Sequence, residues 1–390
     1  MRNLDKDAIS CGNEKGNGSD YLVGSDFSFF IEPEDERIQT AIIYCEGHFG
    51  DDICHLANGL IVASAHFEVL AVIDSTKAAQ DSGVVLFGVA NGIPICRDLT
   101  AALLYSDNTP DFLVFGWYAS GKVISEQERQ VILTAIEYGI HIIHGGHETL
   151  NQDPVIVEAC KKYQVQIRDW SFLYSGEPFH RFTNQIKEVS SPRIVIMGDD
   201  SAISRLSTAN TLAKVLTEYG LNVTKIATSQ VGLTHGTFYG AALEFVPPKF
   251  YAGELENVIL EAHVAECPDL FIVEGHGMFR APSFYTSAAI ICGANPSAII
   301  LNHTPKPAPR CGLNPVPDFG LYDEIHLLEM YSKSRVILVT LNTQGLSTKQ
   351  RQTAMSDLAV KGGRPVSDLF AQSDELLLEC VLTTFPYLRR

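Results

Sequence analysis

The sequence predicts an α/β protein built on two mostly parallel sheets, and three observations carry that expectation. Short continuous apolar runs alternate with amphipathic stretches from about residue 38 to 170. Residues 171–192 then lose periodicity and gather Gly, Pro and Ser, as a linker does. A second alternation starts at residue 193. A strand covered by helices on both faces is apolar throughout, so unbroken apolar runs separated by helices read as parallel strands. The expected division is a disordered or extended lead at 1–37, a first domain at 38–172, a linker at 173–192 and a second domain at 193–390.

In order, TAIIYCEG (40–47) reads as a buried strand, ICHLANGLIVAS (53–64) as a helix and FEVLAVID (67–74) as a second strand. IPICRD (93–98), FLVFGWY (112–118), IHIIHGG (140–146) and VQIRDW (165–170) continue the series. EQERQVILTAIEYG and DPVIVEACKKY between them have helical spacing. RIVIMGDD (193–200) is a strand running into a loop. After it Ile203, Leu206, Ala209, Leu212, Ala213, Leu216 and Tyr219 recur in steps of three and four, one face of a helix. NVTKIATS, DLFIVEG, AIILNH and VILVTLN are further strands, and no internal repeat of 20–50 residues is seen.

With 390 residues, at ~150 per domain, two or three domains are expected. The net charge of −17 argues against nucleic acid or an anionic membrane as main partner, since both need a basic field. A small anion remains possible, held locally by backbone amides and a cation. No apolar run approaches the ~20 residues that span a bilayer. The polar start MRNLDKDAISCGNEKGNGSDY has no apolar signal core. The nine cysteines are widely spaced without C-x-x-C, so neither a zinc ribbon nor a disulfide framework is expected. Most read as small core residues in a reducing compartment, and a cytoplasmic location is expected.

Four places could carry chemistry. The first is GDDSAISRLST (198–208), a strand–loop–helix. A phosphate loop needs exposed amides and a helix N-terminus facing the anion, with a Lys and a hydroxyl in G-x-x-x-x-G-K-[ST]. Here Ser204 and Arg205 stand at the second Gly and the Lys, while Ser207 and Thr208 supply the hydroxyl. Serine lacks glycine's freedom at positive φ, and Arg is longer and planar. The plainer reading is a βα turn with a polar N-cap. The second is FIVEGHG (271–277). Glu274 ends a strand at the carboxyl edge of the sheet, where open α/β sheets bind ligands, and His276 adds a titratable group. Alternatively the Glu caps a neighbouring helix.

The third is H-x-x-H-x-x-H at His141, His144 and His147. The first two fall on a strand, where residues three apart face opposite sides, so no metal is expected. His147 and Glu148, past the strand, are candidate substrate contacts. The fourth is Glu46-Gly-His-Phe-Gly50-Asp-Asp with Asp74 ending the next strand. It has the outline of a dinucleotide crossover, but G-x-G-x-x-G is absent and Asp74 suits a turn cap as well. Neither G-x-S-x-G nor H-E-x-x-H occurs, so a hydrolase or zincin has no local support.

HLANGLIVAS, LAVIDSTKAAQDSG, GIPICRDL, IHIIHGGHETLNQDP, GDDSAISRLSTANTLAKVL, ATSQVGL, FYAGELE, LFIVEGHG, IILNHTP and LNTQGLS run from about residue 40 to 370. In number and order they resemble the D-glutamate N-acetyltransferase-like family, long catalogued as a domain of unknown function. The resemblance implies two doubly wound sheets, a Rossmann-like N-terminal domain and a P-loop NTPase-like C-terminal domain similar to dethiobiotin synthetase. It implies acetylation of an acidic D-amino acid from acetyl-CoA. The family's G-x-D-x-A-x-G-K keeps Gly198, Asp200 and Ala202 here and changes at Ser204 and Arg205. His55 stands where a Lys often occurs, and Lys249 where an acid does.

The expected activity is therefore N-acyl transfer from acetyl-CoA to a small, acidic amino acid. Gly198, Asp200, Ser201, Arg205, Ser207, Thr208 and Gln230 are expected to bind the cofactor. Glu274 or His276 deprotonates the ammonium, because only the neutral amine is nucleophilic. Asn302 or turn amides stabilise the oxyanion, and Arg280 or Arg310 pairs with the acceptor carboxylate. One alternative is a ligase or kinase-like enzyme using ATP with Mg. The other is a silent nucleotide- or CoA-binding protein. By analogy with similar α/β chains, a homo-oligomer is expected.

Overall fold

The computed structural model describes residues 37–62, 64, 66–117, 123–175, 178–198, 202–280, 285–305, 320–343, 346–368 and 374–390. The first sheet holds β1 (Gln39–Tyr44), β2 (Phe67–Ile73), β3 (Ile95–Cys96), β4 (Phe112–Phe115), β5 (His141–His144) and β6 (Ile167–Asp169). Their order is β3-β2-β1-β4-β5-β6, and every pairing is parallel. Its helices are α1 (His55–Val62), α2 (Ser82–Phe87), α3 (Leu99–Ala102), α4 (Glu126–Glu137), α5 (Pro154–Tyr163) and α6 (Trp170–Leu173). Their starts are set locally. Ser125 and Glu128 form a capping box on α4, and Asp153 caps α5 ahead of Pro154.

The second sheet holds β7 (Arg193–Gly198), β8 (Val223–Ala227), β9 (Tyr239–Gly240), β10 (Leu270–Glu274), β11 (Ala298–His303), β12 (Arg335–Leu341) and β13 (Val366–Asp368). The order is β13-β12-β11-β7-β10-β8-β9, again parallel at each pair. Helices α7 (Ala202–Glu218), α8 (Gln230–Thr234), α9 (Tyr251–Glu266), α10 (Thr286–Ala294), α11 (Leu321–Ser332), α12 (Thr348–Gly362) and α13 (Asp374–Thr384) accompany it. One core face packs the sheet on α9, α10 and α11, the other on α7 and α13. The chain thus carries two open parallel sheets, one after the other. No described helix is long and apolar enough to cross a membrane.

Two findings add to the sequence reading. The stretch predicted as a linker is strapped to α9. His180 N donates to Glu254 at 2.5 Å, and Glu256 accepts from Thr183 N at 2.5 Å and Ile186 N at 3.0 Å. The first domain's core also continues across the boundary, taking in Leu206, Ala227, Val231, Leu233 and Ala242. No disulfide framework was expected, but among the described cysteines the sulfurs of Cys45 and Cys54 meet in that core with Cα atoms 7.0 Å apart, and Cys267 is paired as well.

Candidate functional site

The apolar residues of β10 bury the strand and deliver Glu274 to the carboxyl edge of the sheet. The next strand over, β8, ends at Ala227, and Thr228 and Ser229 turn the chain into α8. Thr228 N donates to Glu274 Oε2 at 2.8 Å and Ser229 Oγ to Oε1 at 2.6 Å. Ser229 Oγ in turn accepts from Gly232 N at 3.1 Å. Glu274 therefore braces the start of α8, as the capping alternative expected, and remains a carboxylate at the sheet edge. A Cβ on Gly232 would stand 2.4 Å from Glu274 Oε2, so glycine is what lets α8 lie against the carboxylate. Burial pushes the Glu274 carboxyl above its ordinary value, against the bonds from Ser229 and Thr228 and the charge of Arg205.

His276 responds in the opposite direction. Burial, reinforced by the Arg205 guanidinium, lowers its ring to about 3, so it is neutral at pH 7. Its Nδ1 shares a hydrogen bond with Thr286 Oγ1 on the first residue of α10. Arg205 is buried on α7, and its Nε donates to Gly275 O at 3.1 Å. It holds the 275–277 turn from beneath and lies within electrostatic reach of both Glu274 and His276. Like the Glu274 carboxyl, a second acid is raised here. Burial takes Glu244 to about 8, and Glu274 adds to the shift.

At the end of β7, Gly198 stands in register with Asn302 of β11, and its N donates to His276 O at 3.2 Å. The chain leaves β7 and β11 towards opposite sides of the sheet, the switch point where open α/β sheets form their crevice. Asn302 Nδ2 donates to Thr208 Oγ1 at 2.8 Å, and both residues are fully buried. Both side chains thus serve each other first. Ser204 is an ordinary helical residue without positive φ, so the loss of glycine there needs no unusual backbone. Its Oγ accepts from Asn342 Nδ2 at 3.0 Å. Ser207 is half-buried on α7. Asp200, Ser201 and Arg310 lie outside the described residues.

Gln230 is a seam residue. It is fully buried, and its Nε2 reaches Gly145 O of the first domain at 3.2 Å while its N donates to Glu244 Oε2 at 3.3 Å. His147 is exposed at the same seam, its ring 5.5 Å from Phe245. Glu148 accepts from Ile124 N at 2.6 Å, so its carboxylate closes the approach to α4. Arg280 faces Asp323 at 3.8 Å and Glu324 at 4.0 Å, both on α11. Asp74 takes five hydrogen bonds, from Gly47 N, Phe49 N, Thr76 N and Oγ1, and Lys77 Nζ. That carboxylate staples two turns, which is the cap alternative rather than a ribose contact. His141 Nδ1 accepts from Gln166 N at 3.0 Å, and His144 is buried 3.9 Å from Asp169. Sequence reading missed Thr228, Ser229, Glu244 and Thr286. Only the Ser229 helix cap carried a local signal, at the end of a predicted strand.

Residues 180–378 match the family model described as Domain of unknown function (DUF1611_C) P-loop domain. Residues 75–171 match Domain of unknown function (DUF1611_N) Rossmann-like domain. Two curated relatives are named D-glutamate N-acetyltransferase. The protein from Pseudoalteromonas sp is 25% identical over 72% of this chain and 82% of its own. That from Tritonibacter scottomollicae is 23% identical over 69% and 80%. The crystal structure of a DUF1611 family protein from Anabaena variabilis superposes with a TM-score of 0.78 at 24% identity, covering 88% of this chain and 99% of that one. With the P-loop model spanning residues 180–378 and the Rossmann-like model preceding it, this chain belongs to the DUF1611 family.

Proposed function

We propose that the protein is an N-acetyltransferase that moves the acetyl group of acetyl-CoA to the amine of a small acidic amino acid, D-glutamate or a close analogue. The names of the two relatives support the reaction class. The observation that carries the reading is the pair of titratable groups pushed apart at one sheet edge, Glu274 upwards and His276 downwards. An amino acid arrives as an ammonium, and only its neutral form attacks a thioester. A carboxylate whose pKa is raised towards neutrality accepts that proton better than an ordinary one. A neutral imidazole beside it can relay a proton, taking one on one ring nitrogen as it releases one from the other, with no net gain of charge.

The α7 N-terminus suits a CoA phosphate, because its free amides and helix dipole favour an anion. Arg205 strengthens the field there from its seat under Gly275. Gly275 N is taken by Ile196 O and Asn302 Nδ2 by Thr208, so the oxyanion role passes to other groups of the crevice. Arg280 is the described cation proposed to meet the acceptor carboxylate, in competition with Asp323 and Glu324. The ATP·Mg alternative asks for a loop Lys and a hydroxyl facing the metal, and here Thr208 is committed to Asn302.

The test is to incubate the protein with acetyl-CoA and a panel of D- and L-amino acids, then look for N-acetylated products by mass. An N-acetyl product with an acidic acceptor is expected. No product with any acceptor would sink the proposal.

A further inference from the structure

We propose that the Thr286 hydroxyl is a nucleophile that carries the acyl group as an ester before the amine receives it, with His276 as its base. The inference rests on the transferase reading above and adds a catalytic residue to it.

Its ground is geometric. Thr286 Oγ1 hydrogen-bonds His276 Nδ1, the closest side-chain partnership that the histidine makes. Burial and the Arg205 guanidinium keep the ring in its neutral form, which carries one N–H and one bare nitrogen. In the tautomer protonated at Nε2, Nδ1 accepts from the threonine O–H. A hydroxyl held by an imidazole acceptor is the core of an activated nucleophile. Thr286 opens the nine-residue helix α10, where the dipole favours a developing alkoxide. The helix is tied to the same turn by Ser287 Oγ, which donates to Gly277 O at 2.9 Å. Thr286 and His276 are therefore fixed to one another from both sides of the turn.

The steps balance. Thr286 Oγ attacks the thioester carbonyl, a C–O bond forms and the C–S bond breaks. His276 takes the hydroxyl proton and gives it to the departing thiolate. The acceptor amine, freed of its ammonium proton by Glu274, then attacks the acyl-threonine. The N–C bond forms, the C–O bond breaks, His276 carries one of the two protons left on the nitrogen to Oγ1 while the other stays on the amide, and Glu274 releases the ammonium proton to solvent. Nothing is oxidised or reduced.

The test uses the full chain with no acceptor present, given acetyl-CoA or p-nitrophenyl acetate, quenched in acid and cleaved to peptides. The expected result is one added acetyl on the peptide holding Thr286, discharged when D-glutamate is supplied before the quench. T286S keeps the label and T286V loses it, with transfer falling at least ~100-fold. Initial velocities against both substrates give parallel lines. Intersecting lines, no label from either donor, or T286V transferring within about threefold of wild type overturns the inference, whether or not N-acetyl product is made. Label at Thr286 from p-nitrophenyl acetate with no product from any amino acid sustains the nucleophile and counts against the acceptor reading alone.

Discussion

Replacing Glu274 with Gln tests the proposed base with little disturbance of shape. The carboxylate accepts from Thr228 N at 2.8 Å and Ser229 Oγ at 2.6 Å. A Gln oxygen keeps the first bond. Its amide then faces the serine, whose hydroxyl has to reverse and accept. That oxygen already accepts from Gly232 N at 3.1 Å, and its two lone pairs can serve both donors. The structural loss is one orphaned hydroxyl proton, about 1 kcal/mol. The pH term runs in the variant's favour. A carboxyl raised in the folded state contributes stability that is complete below its unfolded pKa and lost as pH rises through the folded one. Gln has no such loss, so at pH 8 E274Q is expected to be about as stable as the parent. Activity behaves differently. General base catalysis is worth roughly 100- to 10,000-fold, about 3 to 5 kcal/mol of barrier. E274Q is therefore expected to lose at least ~100-fold in kcat, and with it the limb of the pH profile that rises through the raised Glu274 pKa. Turnover with acetyl-CoA and D-glutamate, beside urea unfolding at pH 6 and 8, measures both. A folded variant with kcat within about fivefold of wild type and an unchanged pH profile would refute the assignment.

Further outcomes follow from neighbouring contacts. Glu244→Gln removes an acid that burial raises to about 8. The parent's stability should fall between about pH 5 and 8 by up to a few kcal/mol, at ~1.4 kcal/mol per unit, and the variant's profile should be flatter over that window. Gly145→Ala puts a Cβ 2.4 Å from Gln230 Oε1 and should break the bond across the seam. About 1–3 kcal/mol of stability is expected to go, with a raised KM, whereas an unchanged unfolding curve would show that the seam yields freely. Asp74→Ala strips five donors of one buried acceptor and should cost roughly 3–5 kcal/mol in chemical denaturation, with nicotinamide cofactors giving no protection in either protein.

The strands were legible because a parallel strand covered on both faces has to be apolar along its length, and RIVIMG, LFIVE and AIILNH declare that without any knowledge of their neighbours. Helix α7 was legible from its spacing. Of the strands of two or three residues, β3 and β6 stood out through the mainly apolar runs IPIC and VQI, whereas β9 (YG) and β13 (VSD) have no such run. Glu274 and His276 were also legible, since the end of an apolar strand is a place in the sheet as well as in the chain. What they do there was not. Ser229 lies 45 residues from Glu274, and Thr286 lies 10 from His276 beyond a turn. Gln230 finds Gly145 from 85 residues away, in the other domain.

The sequence by itself determined the two α/β domains, the candidate crevice at the carboxyl ends of their strands and the chemical types available there. These follow from local periodicity and from which side chains can be buried. The tertiary structure decided which of those side chains face one another. Strand order set β8 beside β10 and so gave Glu274 its two donors. It buried Arg205 beneath Gly275, and it committed Thr208 to Asn302 and Asp74 to its turns. The physical reason is that a carboxylate, an imidazole or a hydroxyl acquires its function from the few groups within about 3 Å of it, and chain separation says nothing about that distance.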